Sequence, residues 1–280
     1  MSLELLTISF SSNNADKDFE KSLKCSGFAV LKNHEISAKL INEVYQEWEM
    51  FFNNPVKNDF IFDAIKQDGF FPYLTENAKG SSTKDLKEFF HVFAWGRLPG
   101  ILGPSTLELF HSLTSMGGTL LSWLQNCTPD HVQSLLSTPL KDMIQDSRSN
   151  LLRIIHYPPI TGNERPSSIR AAAHEDINLL TMLVSGTQPG LQVLDLDKKW
   201  HNVSCDPNTI IVNSGDMLKM ATNGYYPSTT HRVINPDKLA NKSRYSMPLF
   251  LHPRDNVKLN SDYTAGSYLE ERLEEIGLIQ

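Results

Sequence analysis

His174 and Asp176 stand two apart in RAAAHEDINLLTMLVSG, directly ahead of an apolar run. If that segment is extended, alternate side chains share a face, and one imidazole nitrogen and one carboxylate oxygen can reach a single metal ion. An H-x-D pair by itself is weak, because a surface or turn His and Asp is the ordinary case. His231 in STTHRVINP, 55 residues beyond Asp176 and at the start of another expected strand, offers a third ligand. Two histidines and a carboxylate are the donor set that holds non-haem iron(II) with coordination positions left open for oxidant and substrate. The other histidines fit less well. His34 closes a turn, His111 falls in a helical pattern and His201 begins an exposed strand, while His91 and His252 read as packed or hydrogen-bonded structural residues.

A redox site must also hold its cosubstrate. Arg244 and Ser246 in SRYSMPLFL are again two apart on an expected strand, 13 residues past His231. An inward arginine on an apolar strand needs an anion, since a buried ion stripped of its partner costs about 3–5 kcal/mol. Its planar guanidinium suits a bidentate grip on a carboxylate, to which the serine hydroxyl adds a hydrogen bond. An arginine turned outward to solvent is the alternative that RYSMPLF alone leaves open.

These residues need a scaffold. From about Leu151 short apolar runs (LLRIIHY, INLLTMLV, GLQVLD, TIIVN, DMLKMA, HRVI, YSMPLFLHP) alternate with turn signals such as YPP, QPG, DPN, SGD and NGYYP. Many short strands at close spacing indicate a β sandwich or barrel. Ahead of them SGFAVLKNH reads as a strand ending in a turn. SAKLINEVYQEWEMFF then puts Leu40, Val44, Trp48 and Phe51 on one helical face, with Ser37 as N-cap. Residues 105–146 are helical in pattern, and TAGSYLEERLEEIGL ends the chain as an acidic amphipathic helix expected on the outside.

Bulk properties narrow the partners. The 280 residues are 40% hydrophobic and 21% charged, as in ordinary globular proteins. A net charge of −6 without basic clusters argues against nucleic acid. MSLELLTISFSSNNADKDF lacks the charged and apolar regions of a signal peptide, and no apolar stretch approaches a membrane span. Three scattered cysteines, Cys25, Cys127 and Cys205, suit a reducing cytoplasm. The Asn-x-Ser/Thr triplets at Asn126, Asn202 and Asn241 carry little meaning there.

The run AAAHEDINLLTMLV … GLQVLD … WHNV … NTIIVNSGDMLKMATNGYYPSTTHRVINP … RYSMPLFLHP resembles the C-terminal half of the isopenicillin N synthase-like iron(II)/2-oxoglutarate-dependent dioxygenases. SGFAVLKNHEIS, INEVYQEWEMFF, GFFPY and DLKEFFHV resemble the N-terminal part in the same order, so the likeness spans nearly the whole chain. The resemblance implies a mainly β fold with flanking helices around a double-stranded β-helix (jelly-roll) core. It further implies one integrated unit: a mixed α/β region at 1–100, a helical segment at 101–148, the iron(II)/2-oxoglutarate core at 149–255 and a C-terminal helix at 256–280. By the same resemblance His174, Asp176 and His231 ligate iron(II), Arg244 and Ser246 hold the distal carboxylate of 2-oxoglutarate, and Tyr157 in RIIHYPP contacts cosubstrate or substrate. Two departures stand out: Ile155 occupies a position where plant members often carry asparagine, and Glu175 stands where many relatives have threonine. Glu175 is expected to point away from the metal.

The implied reaction is hydroxylation or desaturation of a small molecule, with O2 consumed and succinate and CO2 released. The aspartate and the dianionic cosubstrate bring three negative charges to a 2+ ion, which Arg244 partly offsets. Candidate substrate contacts are Arg170, as partner of a substrate carboxylate, and Phe250 as a pocket wall; one of Tyr225 and Tyr226 could face the cavity. Three alternatives stand beside this reading. One is a 2-oxoglutarate-independent iron oxidase of the isopenicillin N synthase type, which keeps the R-x-S pair for another carboxylate. Another is a non-catalytic jelly roll that binds a metal and a small acid. A zinc hydrolase is the third, and leaves R-x-S without a task. Oligomeric state is not legible.

Overall fold

A computed structural model describes residues 5–76, 83–195 and 197–279. In chain order it runs β1 (Thr7–Ser9), α1 (Ala15–Ser26), β2 (Phe28–Lys32), α2 (Ala38–Phe52), β3 (Gly69–Phe71), β4 (Glu88–Val92), α3 (Ser105–Cys127), α4 (Asp130–Gln133), α5 (Leu140–Met143) and β5 (Leu151–Tyr157). There follow β6 (Ala171–His174), β7 (Leu180–Val184), β8 (Leu191–Leu194), β9 (Trp200–Asn202), β10 (Ile210–Ser214), α6 (Asp216–Ala221), β11 (His231–Val233), β12 (Arg244–Leu251) and α7 (Ala265–Glu275). The strands form two sheets, ordered β1-β2-β10-β7-β12-β5-β4-β3 and β6-β11-β8-β9. Mostly β with flanking helices, this is the expected jelly-roll arrangement.

Side-chain alternation explains the layering. Along β12 the odd-numbered Tyr245, Met247, Leu249 and Leu251 join the large core shared with α2 and α3. The even-numbered Arg244, Ser246 and Phe250 take the opposite face, toward the smaller sheet. Along β5, Leu152 and Ile154 belong to the helical core, whereas Ile155 and Tyr157 join a second apolar cluster with Phe89, Val193, Ile211 and Val233. That second cluster fills the space between the sheets. On the outer face α3 comes so close that a Cβ at Gly117 would lie 2.8 Å from Leu251 and 2.9 Å from Met182.

The helices follow from their sequences. Ser37 caps α2 by accepting the Lys39 amide, and Leu40, Val44, Trp48 and Phe51 are buried along one face. Gly27 ends α1 at φ +68°, donating its amide to Leu23, where a Cβ would stand 2.3 Å from Thr229 Oγ1. That close approach ties β2 to the segment leading into His231. Among the described residues no helix is long and apolar enough to cross a membrane.

Two elements differ from expectation. DMLKMA is helix α6, not a strand. Its amides from Asp216 and Met217 donate to the carbonyls of Asp176 and Ile177, so its first turn pins the loop carrying Asp176. The C-terminal helix α7 is not simply external: Leu269, Arg272 and Leu273 line a cavity of about 670 Å3. The amphipathic pattern marks an apolar face, but pattern alone cannot say whether that face covers a core or a cavity.

Candidate active site

Antiparallel pairing of β6 with β11 sets His231 directly opposite His174. β6 stops at His174, so Asp176 sits in the following turn rather than in the strand. Its carboxylate nevertheless faces the two imidazoles: Oδ1 lies 3.8 Å from His174 Nε2 and 3.7 Å from His231 Nε2. These separations exceed hydrogen bonds. They suit donors arranged around a shared point, since metal bonds of about 2.0–2.2 Å at right angles place neighbouring ligand atoms roughly 3 Å apart. Among the described residues these three form the one group of three or more His, Cys, Asp or Glu whose donor atoms all lie within 4.8 Å of one another.

Hydrogen bonds fix which atoms are free. His174 Nδ1 lies 2.7 Å from the Ala172 carbonyl and His231 Nδ1 lies 3.2 Å from the Thr229 carbonyl. A carbonyl only accepts, so both Nδ1 atoms carry the proton and both Nε2 lone pairs aim at the shared point. The outer oxygen of Asp176 accepts from Thr181 Oγ1 at 2.6 Å and Asn213 Nδ2 at 2.8 Å, which turns Oδ1 inward. Both donors come from the β7–β10 pair, where Asn213 stands opposite Thr181. Neither was singled out in the sequence; the i, i+5 spacing of Asp176 and Thr181 is no signal, and Asn213 is brought in by strand register alone.

Charge is tuned accordingly. Burial pushes the Asp176 carboxyl up, but His231, His174 and the Thr181 and Asn213 hydrogen bonds outweigh it and hold it below the usual value. Burial and the neighbouring His231 push His174 down to about 4, keeping it neutral and able to ligate. Its exposed edge faces the cavity. Glu175, as expected, turns away from the shared point, accepting from Thr230 Oγ1 at 3.1 Å and lying 3.8 Å from Lys219.

Further along the space between the sheets lie Arg244, Ser246 and Tyr157, each 2% exposed. Arg244 pairs across the ladder with Tyr157 and Ser246 with Ile155. The Arg244 guanidinium stands 5.1 Å from the Tyr157 ring centroid, and its Nε donates to the Gln188 carbonyl at 2.9 Å. Among the described residues its Nη1 is buried without a hydrogen-bond partner. An orphaned guanidinium N–H is a fit for a carboxylate ligand and a poor fit for an empty core.

A cavity of about 670 Å3 opens in front of His174 and Asp176. Phe250 lines it, as do Phe93, Trp95 and the inner face of α7. So do His91 and His252, here buried residues that face the cavity as well as packing in its wall. One side carries a charged cluster absent from the sequence reading. Lys87 Nζ meets Glu76 at 2.6 Å and Asp85 at 2.9 Å, and Arg153 Nη1 meets Glu76 at 3.3 Å. Burial alone would lower the Lys87 pKa, but the two carboxylates outweigh it and raise it. Asp85 Oδ1 also accepts the Ala172 amide, which joins this cluster to the metal strand.

Arg170 and both tyrosines of the Tyr225/Tyr226 pair lie away from the cavity. Arg170 is 1% exposed, donates to the Lys242 carbonyl at 2.6 Å and stands beside Tyr157, away from the cavity lining. Tyr225 donates to Glu20 and Tyr226 is buried against Thr128, so neither faces the cavity. The NG turn sends both rings toward α1 and α3, not toward His231.

Residues 148–253 match the model of the 2OG-Fe(II) oxygenase superfamily, and residues 6–99 match the N-terminal region of non-haem dioxygenases in morphine synthesis. Clavatol oxidase of Penicillium crustosum is 27% identical over 295 residues, covering 90% of this chain and 83% of that protein. A crystal structure from Shewanella oneidensis, described as a candidate oxygenase, superposes with a TM-score of 0.88 at 46% identity, over 99% of this chain and 100% of the other. A Caulobacter crescentus structure described as a candidate 2OG-Fe(II) oxygenase family protein gives 0.79 at 30% identity, over 97% and 99%. The triad, the orphaned arginine and these likenesses converge: the chain belongs to the 2OG-Fe(II) oxygenase superfamily and is an iron(II)-, 2-oxoglutarate- and O2-dependent dioxygenase.

Proposed function

We propose that the enzyme hydroxylates or desaturates a small molecule with a largely apolar body, bound in the cavity before His174 and Asp176. The observation carrying this is the meeting of the three inward-aimed donor atoms with a cavity walled by Phe250, Phe93, Trp95 and α7. In this reading His174, Asp176 and His231 ligate iron(II), Arg244 and Ser246 hold the distal carboxylate of 2-oxoglutarate, and Tyr157 contacts cosubstrate or substrate. Bound together, metal and cosubstrate supply O2-driven oxidation of a C–H bond, with succinate and CO2 released. The chain's own share is positional. Thr181 and Asn213 aim the Asp176 carboxylate, the backbone carbonyls of Ala172 and Thr229 orient the imidazoles, and the aromatic wall keeps water away from the reacting carbon.

The same reading takes the chain as one working unit, because β1–β4 of the N-terminal part share the larger sheet with β5, β7, β10 and β12. It also places the protein in a reducing cytoplasm, in keeping with three free cysteines. The test is an anaerobic titration of 2-oxoglutarate into the iron(II)-loaded protein, followed by its visible charge-transfer band. We expect a band in the wild type that both Asp176→Ala and Arg244→Ala weaken, and succinate release on admitting air. Screening small molecules for those that accelerate succinate release then identifies the substrate. Iron binding without a band would point to a 2-oxoglutarate-independent oxidase, and absence of iron binding would overturn the oxygenase assignment of the triad.

A further inference from the structure

Tyr157 has two buried arginines beside it, not one. The Arg244 guanidinium carbon lies 5.1 Å from the ring centroid and that of Arg170 lies 6.0 Å from it. Arg170 directly precedes β6, four residues before His174, and the β6–β11 ladder shifts register between Ala171 and His174. It is 1% exposed and Arg244 is 2% exposed.

Among the described residues, neither arginine is in an ion pair with a carboxylate; their contacts are backbone carbonyls. Among the described residues, the charged groups acting on Arg170 are Arg244, Tyr157 and Tyr73, with no carboxylate among them. Arg170 Nη2 donates to the Lys242 carbonyl, but its Nε is buried without a partner, as is Nη1 of Arg244. Burying one unpaired cation is costly, and a second cation nearby adds repulsion. Burial and Arg244 accordingly push Arg170 down to about 10. Two orphaned guanidinium N–H groups around one aromatic ring describe a site built for an anion that accepts from both. A carboxylate has two oxygens and about four lone-pair positions, enough for two forks.

We propose that Arg170 is a second cation of the cosubstrate site, binding the distal carboxylate of 2-oxoglutarate together with Arg244, and is not a contact for the oxidised substrate. The inference rests on the proposed role of Arg244. It goes beyond the R-x-S pair, because it assigns the residue that the sequence places next to the metal strand to the cosubstrate site beside Arg244.

The test uses the full-length protein loaded with iron(II) under anaerobic conditions. Arg170→Gln and Arg170→Lys are titrated with 2-oxoglutarate and with pyruvate, a 2-oxo acid that lacks the distal carboxylate. Loss of one charge-assisted hydrogen-bonded contact weakens 2-oxoglutarate binding by roughly 10–100-fold in Arg170→Gln. Pyruvate affinity stays unchanged, and Arg170→Lys recovers part of the 2-oxoglutarate affinity. Thermal unfolding without ligand gives an independent readout. Removing an unpaired cation leaves the apoprotein at least as stable, while the rise in Tm on adding 2-oxoglutarate shrinks. A merely structural arginine behaves oppositely, lowering apoprotein stability with 2-oxoglutarate affinity intact, and that result would overturn the proposal. Equal weakening of both acids would overturn it too. If Arg170→Gln does not fold, Arg170→Lys decides: weaker 2-oxoglutarate binding at constant pyruvate affinity supports the role, and unchanged binding refutes it. A wild type that binds neither acid would instead remove the cosubstrate reading as a whole.

Discussion

Replacing Thr181 by valine removes one hydroxyl from behind the metal site while keeping the β-branched shape. The hydroxyl donates to Asp176 Oδ2 at 2.6 Å, and Thr181 is only 3% exposed. Asn213 still donates to the same oxygen at 2.8 Å, so the carboxylate keeps one of its two anchors. Asn178 Nδ2, which also contacts the threonine hydroxyl, retains the Leu180 carbonyl at 2.8 Å. No other buried donor is therefore stranded. A hydrogen bond to a charged group contributes about 1.5–3 kcal/mol, so the apoprotein loses up to that much stability. The larger expected effect is on the metal. Residues that orient a ligating side chain typically control about 10–100-fold in metal affinity, and Thr181→Val should fall in that range. Anaerobic titration with iron(II), or with cobalt(II) as a coloured stand-in, measures it, and Thr181→Ser, which keeps the hydroxyl, should restore most of the affinity. Metal affinity within about twofold of wild type, in a folded valine variant, would refute the claim that Thr181 aims the carboxylate.

Two further predictions concern the cavity wall. Lys87→Met removes the ion-pair partner of buried Asp85 and leaves Glu76 with Arg153 alone, and should cost about 3–5 kcal/mol in urea unfolding; a loss under about 1 kcal/mol would show that the cluster contributes little. His252 is pushed down to about 4 by burial, below the 6.5 of a free histidine, so between those values the unfolded chain binds more protons and stability falls as pH falls. Its share of that slope is at most about 1.4 kcal/mol per pH unit, and His252→Gln should flatten the apoprotein's stability profile between those pKa values by a corresponding amount. Identical profiles would mean that His252 is not held neutral by the fold.

The amino-acid sequence alone determined the donor set. His174, Asp176 and His231 are legible because two-residue spacing ahead of an apolar strand is a local property, and because a carboxylate with two imidazoles is chemically specific. Arg244 stands on an otherwise apolar strand, which pointed to an inward cation, and it is buried. The helix from Ala38 to Phe52 was written in its own periodicity and its Ser37 cap. Most strand positions were equally local, being short apolar runs between turn residues.

What tertiary structure decided was everything that depends on which element lies beside which. Thr181 and Asn213 become partners of Asp176 through the register of β7 with β10, and register is a long-range property. DMLKMA carries too few residues to display a helical or a strand period, so only its hydrogen bonds to the Asp176 turn settle it as a helix. The amphipathic face of α7 was visible, but not that it walls a cavity, because an apolar stripe looks the same against a core or an open space. Arg170 was visible as a charge near the metal strand. Its neighbours, Tyr157 and Arg244, arrive from two other strands, and closure of the two sheets around their shared interior is what sets it beside them, away from the cavity.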